Sequence, residues 1–107
     1  MAILVVDEAV GMTAEQDAVL VKALDLEGSQ PAGVTIRIAG PTADGWRIVS
    51  LWDSEADFER FRVERLVPAL ADIGLAMRPS EIWPIETALA YHAVGFSGVR
   101  HGVLAPV

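Results

Sequence analysis

Chemistry near neutral pH could come from two histidines, His92 and His101, which are the only ones in the chain. Imidazole is the side chain whose ordinary pKa lies closest to neutrality. His92 follows the last predicted strand and is a candidate general base. His101 is expected to be solvated in a C-terminal tail. Two histidines without a ligand-spacing pattern do not predict a metal site, and the absence of cysteine excludes thiol nucleophiles and disulfides.

Arginine supplies a second kind of candidate chemistry. Arg37 lies within a predicted strand, where a buried guanidinium requires a carboxylate or an anionic ligand. It could polarise a carbonyl or hold an enolate without any cofactor. The alternative is an internal ion pair with Glu86 or Glu81, or a position at the rim of the sheet. The arginines of the second predicted helix alternate with glutamates, which predicts a salt-bridged solvent face. Of these arginines, Arg65 is the one expected to reach over a cavity mouth near Leu66, if any does.

Aromatic residues cluster where a strand is predicted to run directly into a helix. Alternation from Trp46 to Trp52 has the two-residue period of a pleated strand. Asp53 and Ser54 can accept hydrogen bonds from the free N–H groups of the helix that follows. The tryptophans of this strand either fill a core or line a pocket, and the sequence leaves both possibilities open.

The remaining patterns predict a βαββαβ order, which is typical of an α+β fold with an antiparallel sheet and helices on one face. A capping box at Thr13 and Gln16 predicts the start of the first helix, and Gly28 its end. Pro68 predicts a break near Leu66. The predicted strands are Ala2–Val6, Val34–Ala39, Trp46–Trp52 and Glu81–Tyr91, the last with Pro84 at an edge or bulge. The second helix is predicted to start near Ser54, and after the break a short helix is predicted to run to Ile73, with Gly74 as its cap.

Strand parity divides the central hairpin into an aliphatic face and a mixed face, neither of which is suited to solvent. The aliphatic face is predicted to carry Val34, Ile36, Ile38, Val49 and Leu51, with Arg47 at the rim. The mixed face is predicted to carry Thr35, Arg37, Ala39, Trp46, Ile48, Ser50 and Trp52. Because helices can cover only one of these faces, a second copy of the chain is expected over the other.

Composition restricts the function classes further. The chain has 107 residues, of which 52% are hydrophobic, and a formal charge of −7 that argues against nucleic acid and anionic membranes. No basic segment precedes the apolar start and no apolar run reaches the ~20 residues of a membrane span, so a cytoplasmic protein is expected. We expect one domain over 1–93 and a tail over 94–107, whose apolar residues would pack on the partner subunit or over the cavity mouth.

Up to about Tyr91 the chain resembles the dimeric α+β barrel proteins, specifically the antibiotic-biosynthesis-monooxygenase-like group. The resemblance rests on Gly40 and Pro41 before the hairpin, the strand ending at Trp52, and the acidic helix start followed by Phe58 and Phe61. It implies a ferredoxin-like monomer, a homodimer whose two sheets form a barrel, and a cavity between each sheet and its own helices.

Members of that group include cofactor-independent oxygenases of aromatic polyketides, cyclases, isomerases and heme-degrading enzymes. The oxygenase pattern is an asparagine, a tryptophan four residues on and a tyrosine six further; this chain has Ile48, Trp52 and Phe58 at those positions. Heme degradation requires an asparagine, which the chain lacks altogether. We therefore expect no heme, no metal and no other cofactor.

These observations lead to one main hypothesis and one alternative. The main hypothesis is a cofactor-free enzyme of natural-product biosynthesis, of oxygenase, cyclase or isomerase type, acting on a hydrophobic aromatic or polyketide-like molecule. Its predicted catalytic residues are Arg37 and His92, and its predicted substrate-binding residues are Thr35, Ile48, Ser50, Trp52, Phe58, Phe61 and Arg65. The alternative is a non-catalytic, ligand-binding or structural homodimer whose cavity is a filled core.

Overall fold

The computed structural model describes residues 1–89 of the chain. His92, His101, the tail 94–107 and the last residues of the predicted strand Glu81–Tyr91 lie outside the described residues. Predictions that concern them therefore stay predictions.

A four-stranded antiparallel sheet carries helices on one face, in the predicted βαββαβ order. The strands lie in the order β2-β3-β1-β4, which confirms the ferredoxin-like α+β fold. The elements are β1 (Ile3–Val10), α1 (Ala14–Ala23), β2 (Val34–Pro41), β3 (Gly45–Trp52), α2 (Glu55–Phe61), a π-helical turn (Arg62–Leu66), α3 (Val67–Ile73) and β4 (Glu81–Pro84). As predicted from Pro84, β4 is an edge strand.

Both predicted helix starts are confirmed. The Thr13 hydroxyl accepts a hydrogen bond from the Gln16 N–H at 3.2 Å, and the Gln16 side chain accepts one from the Thr13 N–H at 3.0 Å. Ser54 caps α2 by accepting from the Asp57 N–H at 3.1 Å. The predicted end of α1 at Gly28 is wrong, because the helix stops at Ala23 and Asp25 already has a left-handed φ of 50°.

Pro68 does not break the second helix as predicted. The backbone widens into the π-helical turn instead, where the Val67 N–H donates to the Arg62 carbonyl. A proline ring collides with the carbonyl four residues earlier in a regular α-helix, and the wider turn moves that carbonyl away. The helix then continues to Ile73, and Gly74 ends it at φ 71°, as predicted.

A β-bulge changes the predicted faces at the start of β2. Arg37 pairs with Ser50 as parity requires, but Val34 pairs with Trp52, so the register shifts between Val34 and Ile36. Thr35 is the extra residue and is exposed, which removes it from the mixed face. Val34 turns toward the helices instead and packs beside Trp52, so its predicted place on the aliphatic face is wrong.

The interior layer lies between the helices and the inner face of the sheet. Its core has two parts. One part contains Ala9, Met12, Leu20, Leu24, Ile48, Leu66 and Ala69, and the other contains Ile3, Val5, Trp52 and Phe58. The outer face of the sheet is apolar and has no cover within residues 1–89: Ile38 is 57% exposed and Trp83 56%.

None of the helices described within residues 1–89 is long and apolar enough to cross a lipid bilayer.

Candidate functional site

Charged and polar side chains enter the interior layer at four positions. We call Asp7, Asp17, Arg37 and Ser50 the interior polar cluster. The strand register places Ser50 between Val5 and Arg37. In the neighbouring row Ile48 lies between Asp7 of β1 and Ala39 of β2. Asp17 reaches the layer from α1, so three strands and one helix contribute to the cluster.

Asp7 is the most unusual member, because its carboxyl group is buried and no cation among residues 1–89 is bonded to it. The residue is 6% exposed, and the Ser80 hydroxyl donates a hydrogen bond to its Oδ1. No residue among 1–89 donates a hydrogen bond to its other oxygen. Burial raises the pKa of Asp7, while the Ser80 hydrogen bond and the charge of Arg37 oppose that rise without overcoming it.

Arg37 forms an ion pair with Asp17. Its guanidinium nitrogens lie 2.6 Å and 3.4 Å from the two carboxylate oxygens of that residue. An internal ion pair was the predicted alternative for Arg37, but the partner belongs to α1 rather than being Glu81 or Glu86. The pair joins α1 to β2, and both side chains are largely shielded from solvent.

Aromatic rings fill the interior layer at the other end of the sheet. Trp52 is 3% exposed, and its ring lies 5.5 Å from the Phe58 ring and 5.1 Å from the Phe61 ring between centroids. The Ser50 hydroxyl accepts a hydrogen bond from the Trp52 indole N–H at 2.9 Å. Of the two readings of Trp52, the structure favours core packing over a pocket wall.

Arg65 lies on the helix side, away from the interior polar cluster. Its guanidinium donates to the carbonyls of Leu24 and Ser29, where it satisfies backbone oxygens beyond the end of α1. It also lies 5.8 Å above the Phe61 ring. A shallow groove next to it is lined by Ala23, Leu24, Glu64, Arg65, Pro68, Ala69 and Asp72.

The structure thus brings most of the predicted site residues into one layer but separates others. The residues that share the interior layer are Arg37, Ile48, Ser50, Trp52, Phe58 and Phe61. Thr35 is exposed in the bulge and Arg65 lies at the end of α1. No group of three or more histidine or acidic residues within 1–89 is arranged to hold a metal ion.

Sequence reasoning missed Asp7 and Asp17. Asp7 shares the parity of Ile3 and Val5, both buried, so a charged residue on the inward period of β1 was the available signal. Asp17 lies one helical turn before the buried Leu20, on the same face of α1. Each carboxylate interrupts an apolar face, and that interruption could have identified both.

Solved structures with a similar fold come from several bacteria. SnoaB of Streptomyces nogalater, a cofactor-independent oxygenase, matches with a TM-score of 0.59 at 13% identity, over 84% of this chain and 97% of its own. The ferredoxin-like α+β fold of this chain is therefore shared with SnoaB.

Two further solved structures share this fold. Rv0793 of Mycobacterium tuberculosis matches with a TM-score of 0.59 at 16% identity, over 83% of this chain and all of its own. A candidate antibiotic biosynthesis monooxygenase of Chloroflexus aurantiacus matches with a TM-score of 0.55 at 17% identity, over 89% and 100%. No family model matches the chain, and no curated protein matches its sequence.

Replacing Trp52 by alanine tests its role as a core residue. Because the ring is buried against Phe58 and Phe61, we expect the free energy of unfolding to fall by about 3–5 kcal/mol. Urea unfolding followed by circular dichroism measures the change. Val19→Ala, at an exposed helical position, is the control and should change stability by no more than about 0.5 kcal/mol. A loss below about 1 kcal/mol for Trp52→Ala would contradict core packing.

Asp7→Asn tests the buried carboxyl. Burial raises the folded-state pKa above the ordinary value of 3.8, so the folded wild type loses stability as the pH rises through that raised pKa. The amide cannot ionise, and the stability of the variant relative to wild type should therefore increase from about pH 4 to about pH 8. Urea unfolding at a series of pH values measures this. Asp72→Asn, at an exposed position, should show no such trend; a pH-independent difference for Asp7→Asn would refute the assignment.

Proposed function

We propose that the protein is a cofactor-independent enzyme that acts on a hydrophobic aromatic or polyketide-like molecule held between the sheet and its helices. The observation that carries this proposal is a buried carboxyl, Asp7, in the same interior layer as the guanidinium of Arg37. The fold adds support, because it is shared with SnoaB, a cofactor-independent oxygenase.

Burying an ionisable group costs folding free energy, and a residue that carries this cost is more readily explained by a function than by packing. A carboxyl group out of water destabilises the fold unless it is paired, and Asp7 has one hydroxyl partner and no cation bonded to it among residues 1–89. An apolar residue at the same position would be more stable. Groups with pKa values shifted by burial cluster at catalytic sites, which supports a chemical role for Asp7.

Half-buried apolar side chains beside the core that contains Ile48 would suit a hydrophobic ligand. Trp46, Leu75 and Met77 are half-buried next to the core that contains Ile48. The Trp46 indole N–H is buried and has no hydrogen-bond partner in the described part of the chain. Such a donor can bind the oxygen of a ligand in an otherwise apolar environment.

The type of reaction follows from which polar groups remain. Ile48 and Phe58 supply hydrocarbon where the oxygenase pattern has asparagine and tyrosine, so charge must be handled by Asp7, Arg37 or His92. Those groups suit proton transfer and anion stabilisation, as in an oxygenase, cyclase or isomerase that uses no cofactor. With this activity we propose a place in natural-product biosynthesis, in the cytoplasm.

A homodimer formed through the outer face of the sheet is part of the proposal. The strand register lines up an apolar row from β4 to β2, and a second row lies beside it. The first row is Trp83, Leu4, Leu51 and Ile36, and the second is Val6, Val49 and Ile38, with Glu81 at its end. A two-fold axis through this surface would bury both rows against their own copies.

Light scattering at micromolar concentration should give twice the chain mass of 11.5 kDa. Ile38→Asp should convert the dimer to monomer, because it introduces a charge into the apolar rows. Val19→Asp, on an exposed helix position, is the matched control and should leave the mass unchanged. A wild-type monomer, or a dimer that survives Ile38→Asp, would rule out this interface.

The non-catalytic alternative is favoured by one observation. The rings of Trp52, Phe58 and Phe61 already fill one end of the interior layer, as a purely structural core would. In that case the protein would bind no small molecule between the sheet and the helices, and Asp7 would serve only the packing of β4 through Ser80.

Native mass spectrometry of the protein purified from its own host separates the two proposals. An enzyme of the proposed kind should retain a hydrophobic molecule as a mass increment that disappears under denaturing conditions. Ile48→Trp should reduce the retained fraction, because it adds volume beside Asp7. Retention of nothing, together with no binding of bicyclic aromatic ketones by saturation-transfer NMR, would favour the structural dimer.

A further inference from the structure

We propose that β4 and the linker before it, residues 75–80, form a pH-operated latch on β1, which is closed while Asp7 is protonated and is released when that carboxyl group loses its proton. This device goes beyond the proposed function, since it involves no ligand and no catalytic step. It depends on three features: the place of Asp7 just past the end of β4, the Ser80 hydroxyl as its hydrogen-bond donor, and the weak attachment of β4.

Asp7 is the first residue of β1 that β4 does not cover. The ladder between β1 and β4 ends at Val6, and the linker just before β4 supplies the Ser80 hydroxyl that donates to Asp7. Further back in the linker, the Arg78 N–H donates to the Glu8 carbonyl at 2.9 Å. The linker therefore continues along the edge of β1 and covers that edge at Asp7, where β4 leaves it open.

Within residues 1–89 few interactions hold β4 and the linker in place. The strand has four residues, all exposed, and it pairs with β1 alone because it lies at the edge of the sheet. Leu75 and Met77 of the linker are half-buried against the helix-side core. At the far end of β4 the Ile85 N–H donates to the Ala2 carbonyl at 2.9 Å. A short edge strand with this little burial can open without unfolding the rest of the sheet.

Charged side chains hold the linker on the outer face of the sheet, and we call their contacts the outer clasp. An Arg78 nitrogen lies 3.1 Å from a carboxylate oxygen of Glu8, and another lies 3.5 Å from one of Asp44. The Arg78 side chain is half exposed, so solvent screens both contacts. The outer clasp therefore adds to the strength of the latch without making it depend on the proton of Asp7.

On the helix side, the groups around Asp7 leave burial as the dominant influence on its ionisation. Arg37 of β2 acts on it through its charge but is already bound to Asp17 of α1. The central strand β3 presents the uncharged residues Ile48 and Ser50.

Other charged groups near this part of the sheet lie away from Asp7. Glu8 is on the outer face, and Glu81 of β4 is level with Val6 on that same face. Arg65 and Asp72 of the helix layer line the groove beside the end of α1.

The direction of the pH dependence follows from these surroundings. Burial raises the pKa of Asp7 in the closed latch, whereas an open latch hydrates the carboxyl group and returns its pKa to the ordinary value of 3.8. The closed form thus binds the proton more tightly, so it is favoured at low pH and is lost as the pH rises through the raised pKa. Opening leaves the backbone groups of β1 that paired with β4 without partners, and such an edge can accept another strand.

Amide hydrogen–deuterium exchange of the full-length protein tests the latch. Exchange is followed by heteronuclear NMR from about pH 4 to about pH 8 and corrected for its intrinsic pH dependence. The Arg78 and Ile85 amides of wild type should lose protection as the pH rises. The Asp53 amide, which donates to the Gly33 carbonyl at 2.8 Å on the opposite side of the sheet, should keep its protection.

Two carboxyl-to-amide variants at neighbouring positions separate the proton of Asp7 from the outer clasp. Asp7→Asn cannot ionise, so the loss of protection with pH at Arg78 and Ile85 should disappear. Glu8→Gln is the matched control: it weakens the outer clasp and should keep the same dependence on pH. Circular dichroism establishes that each variant is folded.

Ser80→Ala gives a further readout that does not require Asp7 to be changed. The Ser80 hydrogen bond lowers the pKa of Asp7, so its removal should extend the loss of protection to higher pH. A loss that persists in folded Asp7→Asn, or a Ser80→Ala profile identical to that of wild type, overturns the role of Asp7. No loss in wild type, or an equal loss at Asp53, shows that β4 does not open on its own and overturns the latch. None of these outcomes bears on the proposed function, which ligand retention tests.

Discussion

The ion pair between Arg37 and Asp17 is the polar contact that ties α1 to the sheet. Apart from Asp17, α1 buries only Leu20 of its own residues, with Leu24 just beyond its end. A short helix with so narrow an apolar face gains little free energy from burying it. The charge-assisted contact of Asp17, in the first turn, therefore helps to orient α1 on the sheet. Because Leu20 of α1 packs in the same core as Ile48, the ion pair also holds the helix against the interior layer. The cost of taking both charges out of water keeps its net contribution to stability small.

Much of the fold could be read from the sequence because its signals are local. Thr13 with Gln16, and Ser54 before an acidic turn, identify helix starts from hydrogen bonds made within four residues. The two-residue period of β3 identified its buried face. The bulge at Thr35 has no local signal, because it depends on how β2 aligns with β3. The π-helical turn is similar. Pro68 predicted that the regular α-helix is interrupted, but whether the helix breaks or widens depends on how it packs, which the local sequence does not specify.

The candidate site was harder to predict than the fold, since it depends on contacts between distant residues. Arg37 and Asp17 are remote in sequence, and nothing near either one specifies the other. Asp7 carried a signal in its parity, but an acidic residue at the start of a chain is also a common solubilising feature. Its partner Ser80 is even more distant along the chain. Ile48, Trp52 and Phe58, at the positions of the oxygenase pattern, were located correctly on β3 and α2. Because Ile48 and Phe58 are hydrocarbon side chains, the charged groups of the candidate site come from β1, β2 and α1 instead.

The bulge in β2 has a consequence for how this protein can change over evolutionary time. Val34 and Arg37 are an odd number of positions apart, and both face the helices only because Thr35 is accommodated outside the ladder. Loss of a single codon there would restore regular pairing and turn one of the two outward, separating the Trp52 packing from the ion pair. The Thr35 side chain is exposed, so the residue type at this position can vary. At this position selection would act against deletion or insertion of a residue rather than against a change of side chain. Substitution rates alone would therefore make an essential position look dispensable.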